Sequence, residues 1–140
     1  MDVSSPRFLD LCDKLRSNDP DTKVIMDPYS PLRHLSLEVE SSYILGEAFK
    51  GNNYVTDFRV CFQFIDADSV DFTHACHGLW TAIGACSSLN QVEFTGSMMS
   101  CNLNHRFISS LARNKELRFV GLNSMSLGAN SLSFLLLGSG

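Results

Sequence analysis

The chain lacks any apolar run long enough to cross a membrane, and it lacks a recognisable secretory leader. The stretch SFLLLG near its end is far shorter than the roughly 20 residues that a spanning helix needs. The opening segment, MDVSSPRFLD, carries an early aspartate and no apolar core, unlike a signal sequence. We therefore expect a protein of the cytoplasm or nucleus that is neither secreted nor bound to a membrane.

Basic residues are few and scattered. The chain has 11 Lys and Arg residues against 15 Asp and Glu residues, and its formal net charge is −4. A nucleic-acid-binding surface needs clustered Lys and Arg side chains that neutralise phosphates. The sequence therefore predicts no nucleic-acid partner.

Metal and cofactor motifs are equally scarce. The five cysteines are irregularly spaced, which is typical of reduced thiols in a protein without a secretory leader. A structural zinc site takes four ligands, usually from two closely spaced pairs, and the segment HACH supplies only His74 and His77 at such a spacing. The glycines are dispersed and form no phosphate-binding loop. We expect no metal and no cofactor.

What the chain does have is an internal repeat. Four segments fit the pattern L-x-x-L-x-L, with Leu, Val or Phe at the apolar positions. They are LRHLSL at 32–37, VTDFRV at 55–60, LNQVEF at 89–94 and LRFVGL at 117–122. Each segment follows a polar or Asn-containing corner. Such a repeat is typical of stacked units that cannot bury their apolar faces alone.

Helical spacing of apolar residues accompanies the repeat. The first helix is predicted after Ser4 and Ser5, with Pro6 in its first turn, where the missing N–H costs nothing. Its apolar face comprises Phe8, Leu11, Cys12 and Leu15. Further helices are predicted near 42–50, 71–86 and 104–113, and from 129 onward, and residues 24–26 are compatible with a short strand. We predict one domain over 1–140, with a helix and cap over 1–31 and about four strand-helix units over 32–140.

The last repeat carries a resemblance to a known family. In FISSLARNKELRFVGL, Leu111 and Asn114 match a helix end, and Leu117, Val120 and Leu122 match the following strand. This segment resembles the ribonuclease-inhibitor-like class of leucine-rich repeats. The resemblance implies an α/β solenoid, a short horseshoe with parallel strands on its concave face and helices on its convex face. It also implies a protein-binding role.

The sequence departs from that family at one recurrent position. The family often has Asn or Cys three residues after the last apolar residue of the strand, where the side chain links neighbouring turns. The equivalent positions here are Glu40, Gln63, Ser97 and Met125. The polar ladder of the family is therefore predicted to be degenerate at this corner.

If the strands stack with their central apolar residues aligned, the residues between them point to the concave face. One predicted column is His34, Asp57, Gln91 and Phe119, a second is Ser36, Arg59, Glu93 and Gly121, and a third is Glu38, Cys61, Thr95 and Asn123. In this alignment Arg59 lies beside Glu93, and His34 lies beside Asp57. The predicted partner-binding residues are His34, Ser36, Asp57, Arg59, Gln91, Glu93, Phe119 and Asn123.

Two other functions compete with non-enzymatic protein binding. A thiol- or metal-dependent enzyme would use Cys61, with Arg59 and His34 near it, or the pair His74 and His77. A purely structural fragment would have no partner at all. No family signature surrounds the cysteine or the histidines, so we predict a protein-binding module and no enzyme.

The C-terminal segment SLSFLLLGSG suggests self-association. Leu132, Phe134, Leu135, Leu136 and Leu137 surround a predicted helix, and no charged residue follows Arg118. A helix that is apolar all round is normally buried on several sides. We predict that the isolated chain self-associates through this end, or that a longer parent protein once continued there.

Overall fold

The computed structural model describes residues 4–30, 33–62, 70–96 and 109–123. They form a mixed α/β fold with an open parallel sheet, which confirms the predicted α/β class and the parallel pairing. The helices are α1 (Pro6–Arg16), α2 (Val39–Phe49) and α3 (Val70–Ala85), and residues 109–113 are also helical. The strands are β1 (Val24–Ile25), β2 (Leu35–Leu37), β3 (Asp57–Phe62), β4 (Gln91–Gly96) and β5 (Phe119–Asn123).

The strands lie in chain order across the sheet. β3, β4 and β5 are consecutive parallel neighbours, while β1 and β2 both pair with the other edge of β3. Phe58, Val92 and Val120 face one another in register, as the repeat predicted. Since parallel neighbours need a crossover, α3 between β3 and β4 supplies one.

The first repeat strand is displaced from its predicted position. Leu35 pairs with Val60, whereas Ile25 of β1 occupies the place opposite Phe58. The edge strand is therefore made of two short pieces with residues 26–34 between them. The predicted alignment of Leu35 with Phe58 is wrong. Both Ile25 and Leu35 are apolar and can fill an inward position, and the prediction chose Leu35 because it belongs to the six-residue repeat segment at 32–37.

The helices confirm most of the predicted faces. Ser5 is the N-cap residue of α1, Pro6 follows it, and Phe8, Cys12 and Leu15 are buried. In α2, Leu45, Ala48 and Phe49 are buried. This helix begins at Val39, earlier than predicted, because Glu38 and Ser41 form a capping box.

All three helices share one core with one face of the sheet. Aromatic rings fill its centre: the centroids of Phe49 and Phe58 are 5.7 Å apart, and those of Phe62 and Trp80 are also 5.7 Å apart. Along β3, buried Phe58, Val60 and Phe62 alternate with half-buried residues that point the other way. The helices therefore cover the face that carries Phe58.

The corners between helices and strands are linked by three polar side chains, which we call the corner ladder: Asn52, Cys86 and Asn114. The Asn52 Nδ2 donates to the Leu15 carbonyl at 3.5 Å, the Cys86 Sγ donates to the Asn52 carbonyl at 3.3 Å, and the Asn114 Nδ2 donates to the Cys86 carbonyl at 2.9 Å. Each corner is thus bonded to the corner before it. Successive units are held in a fixed stack by these bonds.

Some predicted features lie outside the described residues. These are residues 104–108 of the fourth helix, the helix from 129 onward with the self-association segment, and ladder positions Gln63, Ser97 and Met125. Glu40 lies in the first turn of α2. Within the described ranges, no helix combines the length and apolarity that crossing a membrane requires.

Candidate functional site

The sheet surface opposite the helices is the candidate site, and we call it the open face. It is defined by Asp57, Arg59 and Cys61 of β3, which alternate with the buried core residues. In register beside them lie Gln91 and Glu93 of β4, and Phe119 of β5 next to Gln91. Of the described elements, none packs on this face. Parallel pairing at about 4.8 Å between strands makes it a continuous strip.

Arg59 and Glu93 are register partners at the centre of the strip, as predicted. Both residues are half-buried. The Glu93 side chain is 23% exposed, and the Arg59 Nε is buried without a hydrogen-bond partner in the described part of the protein. No ion pair between described residues includes Arg59.

His34 lies beside Glu93, and its predicted place beside Asp57 is wrong. Its Nε2 is 3.5 Å from Glu93 Oε1, and the residue is only 6% exposed. The displacement follows from the register of β2, since Leu35 pairs with Val60 and His34 therefore enters the sheet next to Arg59. Neither ring nitrogen has a hydrogen-bond partner among the described residues.

The opposite end of the strip carries an aromatic side chain over a glycine. Phe119 is 53% exposed. A Cβ added at Gly121 would lie 3.3 Å from the Phe119 ring atom Cε1 and 3.1 Å from Glu93 Cγ. The absence of a side chain at Gly121 thus lets Phe119 and Glu93 lie close together. An apolar platform and a carboxylate share this end of the face.

The remaining predicted site residues lie farther along the strands. Ser36 pairs with Cys61 rather than with Arg59, and Asn123 pairs with Thr95. Asp57 is half-buried between Val24 and Gln91. Val24 was not predicted as a site residue, yet it occupies the column position that we assigned to His34. The sequence feature that could have indicated this position for Val24 was the possible short strand at 24–26.

A backbone feature that the sequence did not reveal precedes the site. Arg33 is not glycine, but it has a φ of 57°. This left-handed conformation is rare for residues other than Gly, Asn and Asp. Arg33 immediately precedes His34, so a strained residue adjoins the buried imidazole in the chain.

Of the five cysteines, the structure describes four, of which three are buried and one is half-buried. Cys12, Cys76 and Cys86 are in the core, whereas Cys61 is half-buried on the open face. Burial raises the pKa of the Cys76 thiol well above its ordinary value, and the nearby Ser42 side chain only partly opposes this increase. Burial likewise raises the pKa of Cys12, although nearby Arg16 lowers it. These two thiols are packing groups.

His74 and His77 lie exposed on α3. Over the residues that the structure describes, no group of three or more His, Cys, Asp and Glu side chains is placed to hold a metal ion. The two histidines therefore have no further ligand in the described part of the fold. Nor do they lie on the open face, since α3 is part of the opposite layer.

Comparison with known proteins gave no family assignment. No protein-family model matches the chain, and a search of curated proteins found no significant match.

Proposed function

We propose that this protein is a short leucine-rich-repeat-type solenoid that binds a protein partner through the open face, without catalysis. The observation that carries the proposal is a parallel strip of half-buried polar residues, ending in exposed Phe119, that no described element covers. Solenoids of stacked units present such extended surfaces to partners. In this proposal the open face is the concave face.

Two features of the fold support the solenoid reading. The strands advance in chain order, and α2 packs against both α1 and α3, so the helical layer advances with the sheet. The corner ladder bonds each unit to its predecessor along the stack. Nearest-neighbour contacts of this kind are what a repeat architecture requires.

Phe119 is the proposed anchor of the interface. Aromatic side chains are enriched among residues that dominate binding energy, and they act when a partner encloses them. Phe119 lies on β5, and its register partner on β4 is Gln91, whose side chain can form hydrogen bonds. The metal-dependent alternative gains no comparable support, because no group of three or more potential metal ligands is found among the described residues, and His74 and His77 lie on α3 in the layer opposite the open face.

Site-specific photo-crosslinking tests the proposal. A photoreactive phenylalanine analogue would replace Phe119 on the open face or, as the matched control, Tyr43 on α2. Their exposed fractions are similar, 53% and 49%. We expect a discrete partner adduct from position 119 and none from position 43 in native lysate. Adducts from position 43 alone would place the interface on the helices and contradict the proposal.

A loss-of-contact measurement completes the test. Phe119→Ala should weaken the captured complex by about 10- to 100-fold, the range expected for an aromatic hot spot. Tyr43→Ala should leave the affinity unchanged. Both variants should remain folded, because each removes a side chain that is about half exposed. Equal affinities for the two variants would count against the open face.

A further inference from the structure

The centre of the open face holds polar groups that the fold leaves unsatisfied. The Arg59 Nε and both ring nitrogens of His34 are buried and lack hydrogen-bond partners within the described residues. Buried polar groups are nearly always hydrogen-bonded, so each exception calls for a physical reason. Here two exceptions lie side by side, because the pairing of Leu35 with Val60 brings His34 next to Arg59.

The backbone at the same place is strained. Arg33, with its φ of 57°, directly precedes His34. Strained residues and unsatisfied polar groups concentrate where a protein is organised for a ligand. The His34 Nε2 lies 3.5 Å from Glu93 Oε1, which is longer than a good hydrogen bond. The contact with Glu93 therefore leaves the ring nitrogens of His34 without a hydrogen bond.

The charged side chains around His34 indicate which kind of ligand group would bind there. Arg59 approaches from β3 and Glu93 from β4, and Arg33 adjoins it in the chain. Neither arginine takes part in an ion pair between described residues. The Arg59 Nε is therefore a buried donor that no carboxylate among the described residues satisfies. An arginine fork is well suited to bind a planar carboxylate with two parallel hydrogen bonds.

On the basis of the proposed function, we infer that the centre of the open face binds an acidic side chain of the protein partner, with Arg59 as the main donor and His34 beside it. A phosphate fits less well, since it carries about −1.5 to −2 charges and Glu93 already offsets part of the positive charge. Phe119, at the other end of the strip, would contact an apolar residue near the acidic one.

Peptide display on the folded full-length chain tests this inference. A random peptide library is selected on the immobilised protein, and the best peptide is synthesised with its acidic residue and with the matching amide. We expect selected peptides to share one Asp or Glu. The change from acid to amide should lower affinity about tenfold or more on the native chain and little on Arg59→Gln.

Control variants make the failures distinguishable. Arg16→Gln, on α1 away from the open face, should keep the full preference for the acid. If Arg59→Gln does not fold, Arg59→Lys replaces it and should reduce the preference, because Lys cannot donate two parallel bonds. Peptides that depend on Phe119 but bind equally as acid or amide would overturn the carboxylate site and leave the proposed function intact. Peptides indifferent to Phe119→Ala as well would overturn both.

Discussion

Asn114 shows how much one buried side chain can hold in this fold. Its Nδ2 donates to the carbonyls of Ile83 at 2.8 Å and Cys86 at 2.9 Å, and its Oδ1 accepts from the Glu116 amide at 3.0 Å. The residue is 7% exposed, so water cannot readily replace these bonds. The side chain thereby joins the end of α3 to the corner that leads into β5.

Replacing this residue should be costly. Asn114→Ala removes one partner from each bond, and each buried group left unsatisfied costs about 1–3 kcal/mol. We expect the free energy of unfolding in urea to fall by about 2–4 kcal/mol. Asn53→Ala is the control: Asn53 is exposed, and its loss should change stability by at most about 0.5 kcal/mol. Similar losses for both variants would refute the role of the ladder.

The buried thiols predict how stability changes with alkaline pH. Burial raises the pKa of Cys76, so its thiol keeps its proton in the native state at a pH where the unfolded chain, with an ordinary thiol pKa of about 8.5, has lost it. The unfolded state then binds fewer protons, and stability falls as pH rises above about 8.5.

The contribution of Cys76 can be isolated by substitution. Each such thiol adds a slope of at most about 1.4 kcal/mol per pH unit. Urea unfolding between pH 8 and 10.5 should show a shallower decline for Cys76→Ala than for the native chain, since the two proteins share every other titrating group. Identical slopes would mean that the native thiol ionises normally.

Glycines set the spacing between neighbouring helices. A Cβ at Gly46 of α2 would lie 2.7 Å from the Leu79 backbone nitrogen of α3, a distance that the packed helices cannot accommodate. A Cβ at Gly78 of α3 would meet only the Glu47 side chain, at 3.5 Å. Of these two glycines, only Gly46 is needed for the close approach of α2 and α3.

Opposite effects are therefore expected from the same substitution in the two helices. Gly46→Ala should lower the free energy of unfolding by about 1–3 kcal/mol, because the overpacked helices must move apart. Gly78→Ala should raise it by up to about 1 kcal/mol, since alanine favours a helix over glycine. Thermal unfolding followed by circular dichroism measures both. A gain for Gly46→Ala would show that α2 and α3 are not this close.

The register of the edge strand can be tested by a disulfide. Ser36 is the register partner of Cys61, and neighbouring strands are about 4.8 Å apart, which is within the Cα separation that a disulfide spans. Mild oxidation of Ser36→Cys should therefore crosslink it to native Cys61. The predicted alignment instead places residue 36 beside residue 59, so Ser36→Cys with Arg59→Cys in a Cys61→Ser background is the competing pair. Faster crosslinking of that pair would restore the predicted register.

For the whole molecule, chain order and spatial order coincide. Strands follow one another from β1 and β2 through β3 and β4 to β5, with helical segments packed on one side. In such a stack each unit contacts only the units before and after it, so the unit at either end has a neighbour on one side only. The described sheet ends at β5.

Self-association through the C-terminal segment remains a prediction from the sequence. Light scattering at rising protein concentration should show dimers or larger species. Substitution of Phe134→Glu together with Leu137→Glu should reduce them, because charges oppose burial of an apolar surface. A chain that stays monomeric at high concentration would contradict this prediction.

The sequence by itself determined the classes and positions of the main elements. The alternation of apolar residues along 57–62 and 91–94 fixed which side of each of these strands is buried, and the repeated L-x-x-L-x-L pattern aligned Phe58, Val92 and Val120. Helical spacing likewise predicted the buried face of α1. These features are local, because the side-chain period within a single helix or strand fixes which residues share its buried face.

Only the tertiary structure decided the edge of the sheet and the centre of the site. Ile25 and Leu35 both satisfy the inward apolar pattern, yet Ile25 pairs with Phe58 and Leu35 pairs with Val60. This register brought His34 to Glu93 and left Asp57 beside Val24. Register at an edge depends on how the connecting chain closes in space, and a local pattern with a period of two cannot specify it.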